Sequence, residues 1–433
     1  MVKKIEMTKN KVELLEYQKI ETKNDDCLQN CCLDLLEKYL EKNNLSSALK
    51  VTAIGIKATS YVGVIKFKNT QIEILPKLIA EEKSDREQIL KNLLFMLSYT
   101  KNLDIKTSDS AKLAKDDNPF LEVLIREYAN SLFECLKRLT PKNYIREEDN
   151  LNYLRGKLLF TSNIKYNIAN KAKFYCEFDE FSENCILNQL FCYVAQCLYT
   201  VTKNSKNKQL LKMITDYFCD IKLIKFDSYK CEKIKLPRQQ KLFEKPFKLA
   251  KMFVEHSSVD LSRNKFENIT LLWDMNKLFE EFIYQVIRHK IPGVTVNPQK
   301  GKFLLKNSDN SARRSTKADI VVETNDKKNK IIIDTKYKKL ENFESVSSSD
   351  LYQVGMYCYL HDDYNNGDKD SKIRTVLLYP KYPNINYEED FNYNTNERYK
   401  LGIKSVDLMV EDMKKDLQGE NRIVKKLKDI IFN

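Results

Sequence analysis

Three consecutive isoleucines, Ile331 to Ile333, run directly into Asp334, Thr335 and Lys336. A short run of β-branched apolar residues suits a central strand covered on both faces. Side chains alternate along a strand, so Asp334 and Lys336 share one face while Ile333 and Thr335 take the other. Two opposite charges therefore emerge from an apolar sheet. Burying such a pair for stability alone gains little. A site that binds a cation and holds an ammonium beside it accounts for the pair better.

The neighbouring segments extend this reading. ADIVVE forms a second strand, opened by Asp319, with fourteen residues between Asp319 and Asp334. Before it lies a polar loop with Arg313, Arg314 and Lys317, cations suited to DNA contacts. Further upstream, LLWDMNKLFEEFIYQVIRHK places Leu271, Met275, Leu278, Phe279, Phe282, Val286 and Ile287 on one side of a helix. Glu280 falls at the edge of that stripe and Glu281 points further toward solvent. Downstream, SSSDLYQVGMYCYLH opens with capping residues and sets Gln353 and Tyr357 four apart on one helix face. Tyr357 joins the candidate DNA contacts. The strand IRTVLLYP follows.

Two carboxylates and a lysine meet the needs of phosphodiester hydrolysis. Oxygen ligands from Asp319 and Asp334 suit Mg²⁺, with Mn²⁺ as a substitute. Lys336 can orient a water and balance charge on the phosphorane-like transition state. Asp334-x-Lys336 alone is a short pattern that any hairpin with surface charges can match. The order helix with Glu, strand with Asp, strand with Asp-x-Lys, helix with Gln and Tyr, strand is more specific. It resembles the restriction-endonuclease-like PD-(D/E)xK core of RecB-type nucleases.

The rest of the chain narrows the expectation. YVGVIKFKNTQIEILPKL, residues 61–78, alternates apolar and polar residues around Asn69-Thr70 and reads as a half-buried β-hairpin. Residues 86–220 read as mainly helical. Residues 221–251 carry ten Lys or Arg against three acids and read as a basic connector. Ser- and Asn-rich patches at 307–316, 345–350 and 362–371 read as loops. In order, the hairpin, NYLRGKL, CEFDEFSENCILNQ, MNKLFEEF and SDLYQVGMY resemble the McrC family, the nuclease subunit of McrBC-type restriction systems that act on 5-methylcytosine-containing DNA.

That resemblance implies an α/β protein in two parts: a mixed α+β partner-docking region over 1–255 and a PD-(D/E)xK endonuclease domain over 256–433. It implies Mg²⁺-dependent cleavage of modified foreign double-stranded DNA, and stimulation of an McrB-like AAA+ GTPase ring. Catalytic roles fall on Glu280, Asp319, Asp334, Lys336 and Gln353, with Ala318 where the family usually has proline. Partner docking falls on Lys66, Lys68, Lys77 and Arg155, and dimerisation through the nuclease domain is compatible with it. A self-sufficient nuclease of the same fold and a non-catalytic activator of the motor stay open as alternatives.

Composition sets the boundaries. The net charge of +13, from 74 basic and 61 acidic residues, favours a polyanionic partner, although a Lys- and Asn-rich chain reaches such a charge through coding bias alone. No apolar run approaches the roughly 18 residues of a membrane span. No secretory start and no CxxC appear, and the eleven cysteines fit reduced thiols in the cytoplasm. His256, His289 and His361 are scattered, without metal-ligand spacing. No GxxxxGK[ST] is present, so this chain is not expected to bind GTP itself.

Overall fold

The computed structural model describes residues 11–21, 30–43, 45–67, 70–77, 86–100, 120–260, 265–306, 312–326, 329–362, 372–382, 384–393, 399–409 and 422–432. The chain is mixed α/β. Its contacts divide it into two compact units, Met1–Phe120 with Leu271–Asn433, and Leu121–Thr270. The N-terminal segment thus shares a unit with the C-terminal one, whereas the division of roles read from the sequence falls at residue 255.

The first unit begins with β1 (Lys11–Leu15), β2 (Lys19–Glu21), α1 (Asn30–Lys42), β3 (Leu49–Thr52), β4 (Gly55–Ala58), β5 (Tyr61–Phe67), β6 (Thr70–Leu75) and α2 (Arg86–Tyr99). β5 and β6 form the expected antiparallel hairpin, which stops before Pro76. Its burial departs from the half-buried expectation. Val62, Val64, Ile65, Ile72, Glu73 and Ile74 are all buried, because β6 also pairs in parallel with β1, and α1 packs with the hairpin. Glu73 lies in this interior as an ion pair with Arg86 at 2.8 Å, and it accepts the Phe120 N–H at 2.8 Å. At Gly63 the backbone adopts φ +136°, and a Cβ there would sit 2.0 Å from the Leu271 carbonyl oxygen. Only glycine fits.

The second unit holds α3 (Phe120–Leu136) from Leu121 on, β7 (Asn143–Leu151), β8 (Lys157–Leu158), α4 (Phe160–Asn167), β9 (Phe174–Ser182), α5 (Ile186–Val201), α6 (Ser205–Tyr217), α7 (Ser228–Glu232), α8 (Glu244–Glu255) and β10 (Ser257–Asp260), which pairs with the start of β11 (Lys265–Asp274). Tyr128, Leu132, Leu190, Phe191, Val194 and Phe253 are among its buried core. Two expectations need correction. The mainly helical stretch contains a three-stranded sheet, β7-β9-β8, whose first strand, NYIREEDNL, is largely exposed and so shows no apolar alternation. The basic connector is part of the folded unit. Pro246 sits in the first turn of α8, where proline is tolerated, and Leu249, Met252 and Phe253 of that helix are buried.

The first unit resumes at Leu271 with the end of β11 and continues through α9 (Met275–Lys290), β12 (Val294–Lys306), β13 (Ala312–Thr324), β14 (Asn329–Thr335), α10 (Ser348–His361), β15 (Lys372–Pro380), β16 (Glu389–Asn392), β17 (Tyr399–Val406) and α11 (Arg422–Phe432). Leu271 belongs to β11 and not to the helix, which Asp274 caps by accepting the Asn276 N–H. The six-stranded sheet runs β12-β13-β14-β15-β17-β16, with β14, β15 and β17 parallel. β12 had no counterpart in the sequence reading. The polar loop assigned to Arg313, Arg314 and Lys317 is in fact strand, because β13 starts at Ala312 and pairs with β12 along its length. Ser348–Asp350, placed in a loop, open α10. α10 covers one face of the sheet, over Val321, Ile332, Leu377 and Ile403, while α9 packs on β12, β13 and β14.

Candidate active site

Register brings the charged residues together. Ile320 pairs with Ile333 across the antiparallel β13–β14 ladder, so one step further Asp319 stands opposite Asp334 on the same face. Directly opposed side chains in a sheet have Cβ atoms about 4.5–5.5 Å apart. Two carboxylates at that spacing repel each other. Asp334 is fully buried, and burial together with the Asp319 charge pushes its pKa up to about 6 against the pull of Lys336. Asp319 is also held above its ordinary value by burial, although it accepts hydrogen bonds on Oδ2 from the Thr335 N–H at 2.9 Å and the Thr335 hydroxyl at 3.0 Å.

Lys336 sits just past the end of β14, its N–H bonded to the Leu378 carbonyl at 2.9 Å. Its ammonium lies 2.6 Å from Asp334 Oδ2 and 3.6 Å from Asp350 Oδ1. Burial works to lower the pKa of Lys336, but its carboxylate neighbours outweigh that and raise it, so the side chain stays charged. The ammonium donates to Gln353 Oε1 at 3.1 Å, Gln353 Nε2 donates to the Tyr357 hydroxyl at 2.7 Å, and that hydroxyl donates to the Lys317 carbonyl at 2.7 Å. Helical spacing of four sets up the Gln353–Tyr357 link. The chain of bonds holds Lys336 in place from behind.

Glu280, on α9, completes the cluster. Its pKa is pushed up to about 7 by burial first, then by the charges of Asp319, Glu281 and Asp334, against a hydrogen bond from Gln299. α9 is braced from α2, where Phe95 and Tyr99 meet Phe282 edge-on at 5.7 Å and 5.4 Å. The Met275 N–H bonds to the Ser60 carbonyl at 2.9 Å. The N-terminal sheet thus supports the helix that presents Glu280.

Sequence reading missed three neighbours. Asp350 holds Lys338 at 2.5 Å as well as Lys336, and it lies three residues before Gln353 on the same helix face, a spacing that could have flagged it. Thr335 was assigned to the opposite face, yet its N–H and hydroxyl clamp Asp319. Gln299 lies on the unrecognised β12 with φ +50°. No local signal marked it.

The arrangement suits a hard divalent cation. Asp334 Oδ1 is buried and accepts no hydrogen bond among the described residues, and the opposed carboxylates are destabilised as charges until a cation joins them. Among the described residues no cluster of three or more His, Cys, Asp or Glu forms a ready-made metal cage. Mg²⁺ needs none, since it binds through one or two carboxylates and keeps several waters.

The other singled-out residues are dispersed. Arg314 and Lys317 are exposed on β13, and Arg313 shares that strand. Tyr357 is 1% exposed, so it cannot stack on DNA; it acts behind Gln353. Lys66 is half-buried on β5 and Lys77 is exposed after β6, while Lys68 lies outside the described residues. Arg155 stacks over Phe178, 4.0 Å from its ring centroid, and lies 3.6 Å from Glu180.

A family model described as McrBC 5-methylcytosine restriction system component matches residues 56–380. Among solved structures, the chain is similar to the refined half-complex from the tetradecameric assembly of Thermococcus gammatolerans McrB AAA+ hexamers with bound McrC. The TM-score is 0.73 at 22% identity, covering 98% of this chain and 100% of that one. It is also similar to the cryo-EM structure of the Thermococcus gammatolerans McrBC complex, with a TM-score of 0.53 at 25% identity, covering 65% of this chain and 88% of that one. No curated protein matches.

Proposed function

The chain belongs to the McrBC 5-methylcytosine restriction system component family, and from that premise we propose that it is an McrC-type DNA endonuclease subunit working with an McrB-like AAA+ GTPase ring. The observation that carries the reading is the opposition of Asp319 and Asp334 on one sheet face with Lys336 at 2.6 Å. Asp319 and Asp334 would hold Mg²⁺, which supplies Lewis-acid polarisation of the scissile phosphate and an acidified water. Lys336, fixed by Gln353 and Asp350, presents an ammonium to the developing negative charge on phosphorus. Glu280 is poised near neutrality to take a proton from an attacking water. The fold supplies this constellation from rigid strands and a helix, which keeps it pre-organised.

Partner contact is reassigned within this reading. The described residues of the hairpin bury most of their apolar side chains, with Lys66 half-buried on β5 and Lys77 exposed after β6. The β7–β9–β8 sheet with α4 does the opposite. Tyr144, Tyr153, Leu154, Phe160, Ile164, Tyr166, Ile168 and Phe181 are all exposed there. An exposed apolar surface of this extent marks a protein contact, and the related proteins are complexes with McrB. This ribbon is the docking element for the GTPase.

The test is plasmid cleavage by the chain combined with an McrB-like GTPase, on 5-methylcytosine-containing and unmodified DNA. Cleavage that needs GTP, Mg²⁺ and the modification, and that Asp334→Ala abolishes, supports the proposal. Full cleavage by Asp334→Ala rejects the site. Wild-type protein that stimulates the GTPase without cutting DNA leaves only an activator.

A further inference from the structure

β12 and β13 pair well beyond the part of β13 that β14 covers. β14 engages only Ile320–Glu323, whereas β12 pairs with β13 out to Ala312. Beyond Asp319 the ribbon is therefore a two-stranded arm, with Ala318 still in the core under α10 and the Lys317 carbonyl held by Tyr357. Alternation sets Asp319, Lys317 and Ser315 on one face, and their cross-strand partners Gly301 and Phe303 share it. Lys317 is exposed and Phe303 is 56% exposed. Gly301 carries no side chain, and Lys317 Cγ lies beside it, 3.7 Å from where a Cβ would stand, between the candidate catalytic carboxylate and Phe303. The ladder is irregular beyond Phe303, and the adjoining Leu304 is exposed as well. Such irregularities re-aim side chains.

Charge decides the occupant. The strands of the arm hold Lys302, Lys306, Arg313, Arg314 and Lys317 and no Asp or Glu, while Lys300 is held by Glu323 at 2.8 Å. A protein partner met by this surface would need a dense acidic patch, while duplex DNA offers regular phosphates with apolar sugars and base edges between them.

We propose that this arm tracks the duplex on one side of the cleavage point, with Lys317 on a backbone phosphate and Phe303 against the adjoining sugar and base edge. The inference rests on the nuclease reading for the position of the cut, and adds which side of it the protein grips and how far. Four residue steps of strand at roughly 3.3 Å each put Ser315 and its partner Phe303 about 13 Å from Asp319, or about four base pairs of duplex. Arm contacts then help to place the cut relative to the motor.

The experiment uses the full chain in complex with its GTPase, carrying Asp334→Ala to preserve the DNA and the photoreactive replacement Phe303→benzoylphenylalanine. Irradiation should crosslink the arm to nucleotides about four base pairs to one side of the position that the wild-type complex cuts. In parallel, Lys317→Glu with Phe303→Ala in the cleaving protein should raise the DNA concentration for half-maximal cleavage about tenfold, with GTPase stimulation unchanged. Crosslinking to the GTPase instead, or an unaltered DNA requirement, overturns the arm. A wild-type complex that never cuts DNA fails the nuclease reading separately, and a crosslink to DNA in that complex would still uphold the arm as a DNA contact.

Discussion

Two β-ribbons of this chain treat their apolar side chains in opposite ways. β5–β6 buries residues on both faces, down to a glutamate, between a parallel neighbour strand and a covering helix. β7–β9, with the short β8 and α4, leaves tyrosines, phenylalanines and isoleucines in solvent. Read as sequences, the first looks like the presentable hairpin and the second like nothing in particular. The difference teaches that alternation reports the pleat and not the surroundings. A strand's polar face is buried when the fold supplies ion-pair partners, as Arg86 does for Glu73.

The sharpest way to break this contrast is to remove the buried charge. Glu73→Ala leaves Arg86 with Glu13 as its partner at 3.0 Å and strips the Phe120 N–H of its acceptor, so the first unit should lose about 1.5–3 kcal/mol of stability, read by denaturant melts. A loss under about 1 kcal/mol would mean that the hairpin is a surface element after all. Comparable in size is the exposed ribbon. Phe160→Asp with Ile164→Asp should leave the melt unchanged and weaken GTPase association by about 2–4 kcal/mol, the scale of interface hot spots, in a pull-down titration. Lys66→Glu with Lys77→Glu should change that association by less than about threefold; a reversal of these two results would restore docking to the hairpin.

Smaller effects sharpen the picture at the face that carries Asp319 and Asp334. Glu280 keeps its proton in the folded state up to about pH 7 but releases it near 4.5 when unfolded. A carboxyl with a raised folded pKa contributes stability that is full below the unfolded value and disappears as pH climbs through the folded one. Glu280→Gln should therefore match the wild type at pH 4 and be the more stable of the two at pH 8, measured without divalent cations. Equal stability at both pH values would place Glu280 in open water. Smallest is Arg155→Ala, which removes a stacked cation over Phe178 and should cost the second unit about 0.5–1 kcal/mol of stability, read by denaturant melts.

Much of the site was legible because its signals are local. The isoleucine run, the Asp-x-Lys step and the Gln353–Tyr357 spacing each depend on strand or helix period alone, and the structure brings those residues into one cluster. What escaped depends on pairing. Whether Asp319 faces Asp334 is a matter of ladder register, Gln299 lies on a strand with weak alternation, and Tyr357 is buried by a helix packing that its sequence does not encode. The ribbon escaped because NYIREEDNL has no buried face to betray its strand character. The same physics hid the connector, whose Lys230 and Lys241 are exposed on short helical turns while Cys231, Phe243 and Leu249 pack inward.

The central claim is that cutting and docking reside in different places on this chain, the first at Asp334 and the second on the exposed ribbon. The direct measurement is to follow GTP hydrolysis and plasmid cleavage in the same reaction, for the partner GTPase with wild type, Asp334→Ala, or the Phe160→Asp, Ile164→Asp double variant. The expected result is a loss of cleavage of about 10³-fold or more for Asp334→Ala with GTPase stimulation fully retained, and loss of both activities for the ribbon variant. Cleavage by Asp334→Ala at the wild-type rate, or full GTPase stimulation by the ribbon variant, would contradict it.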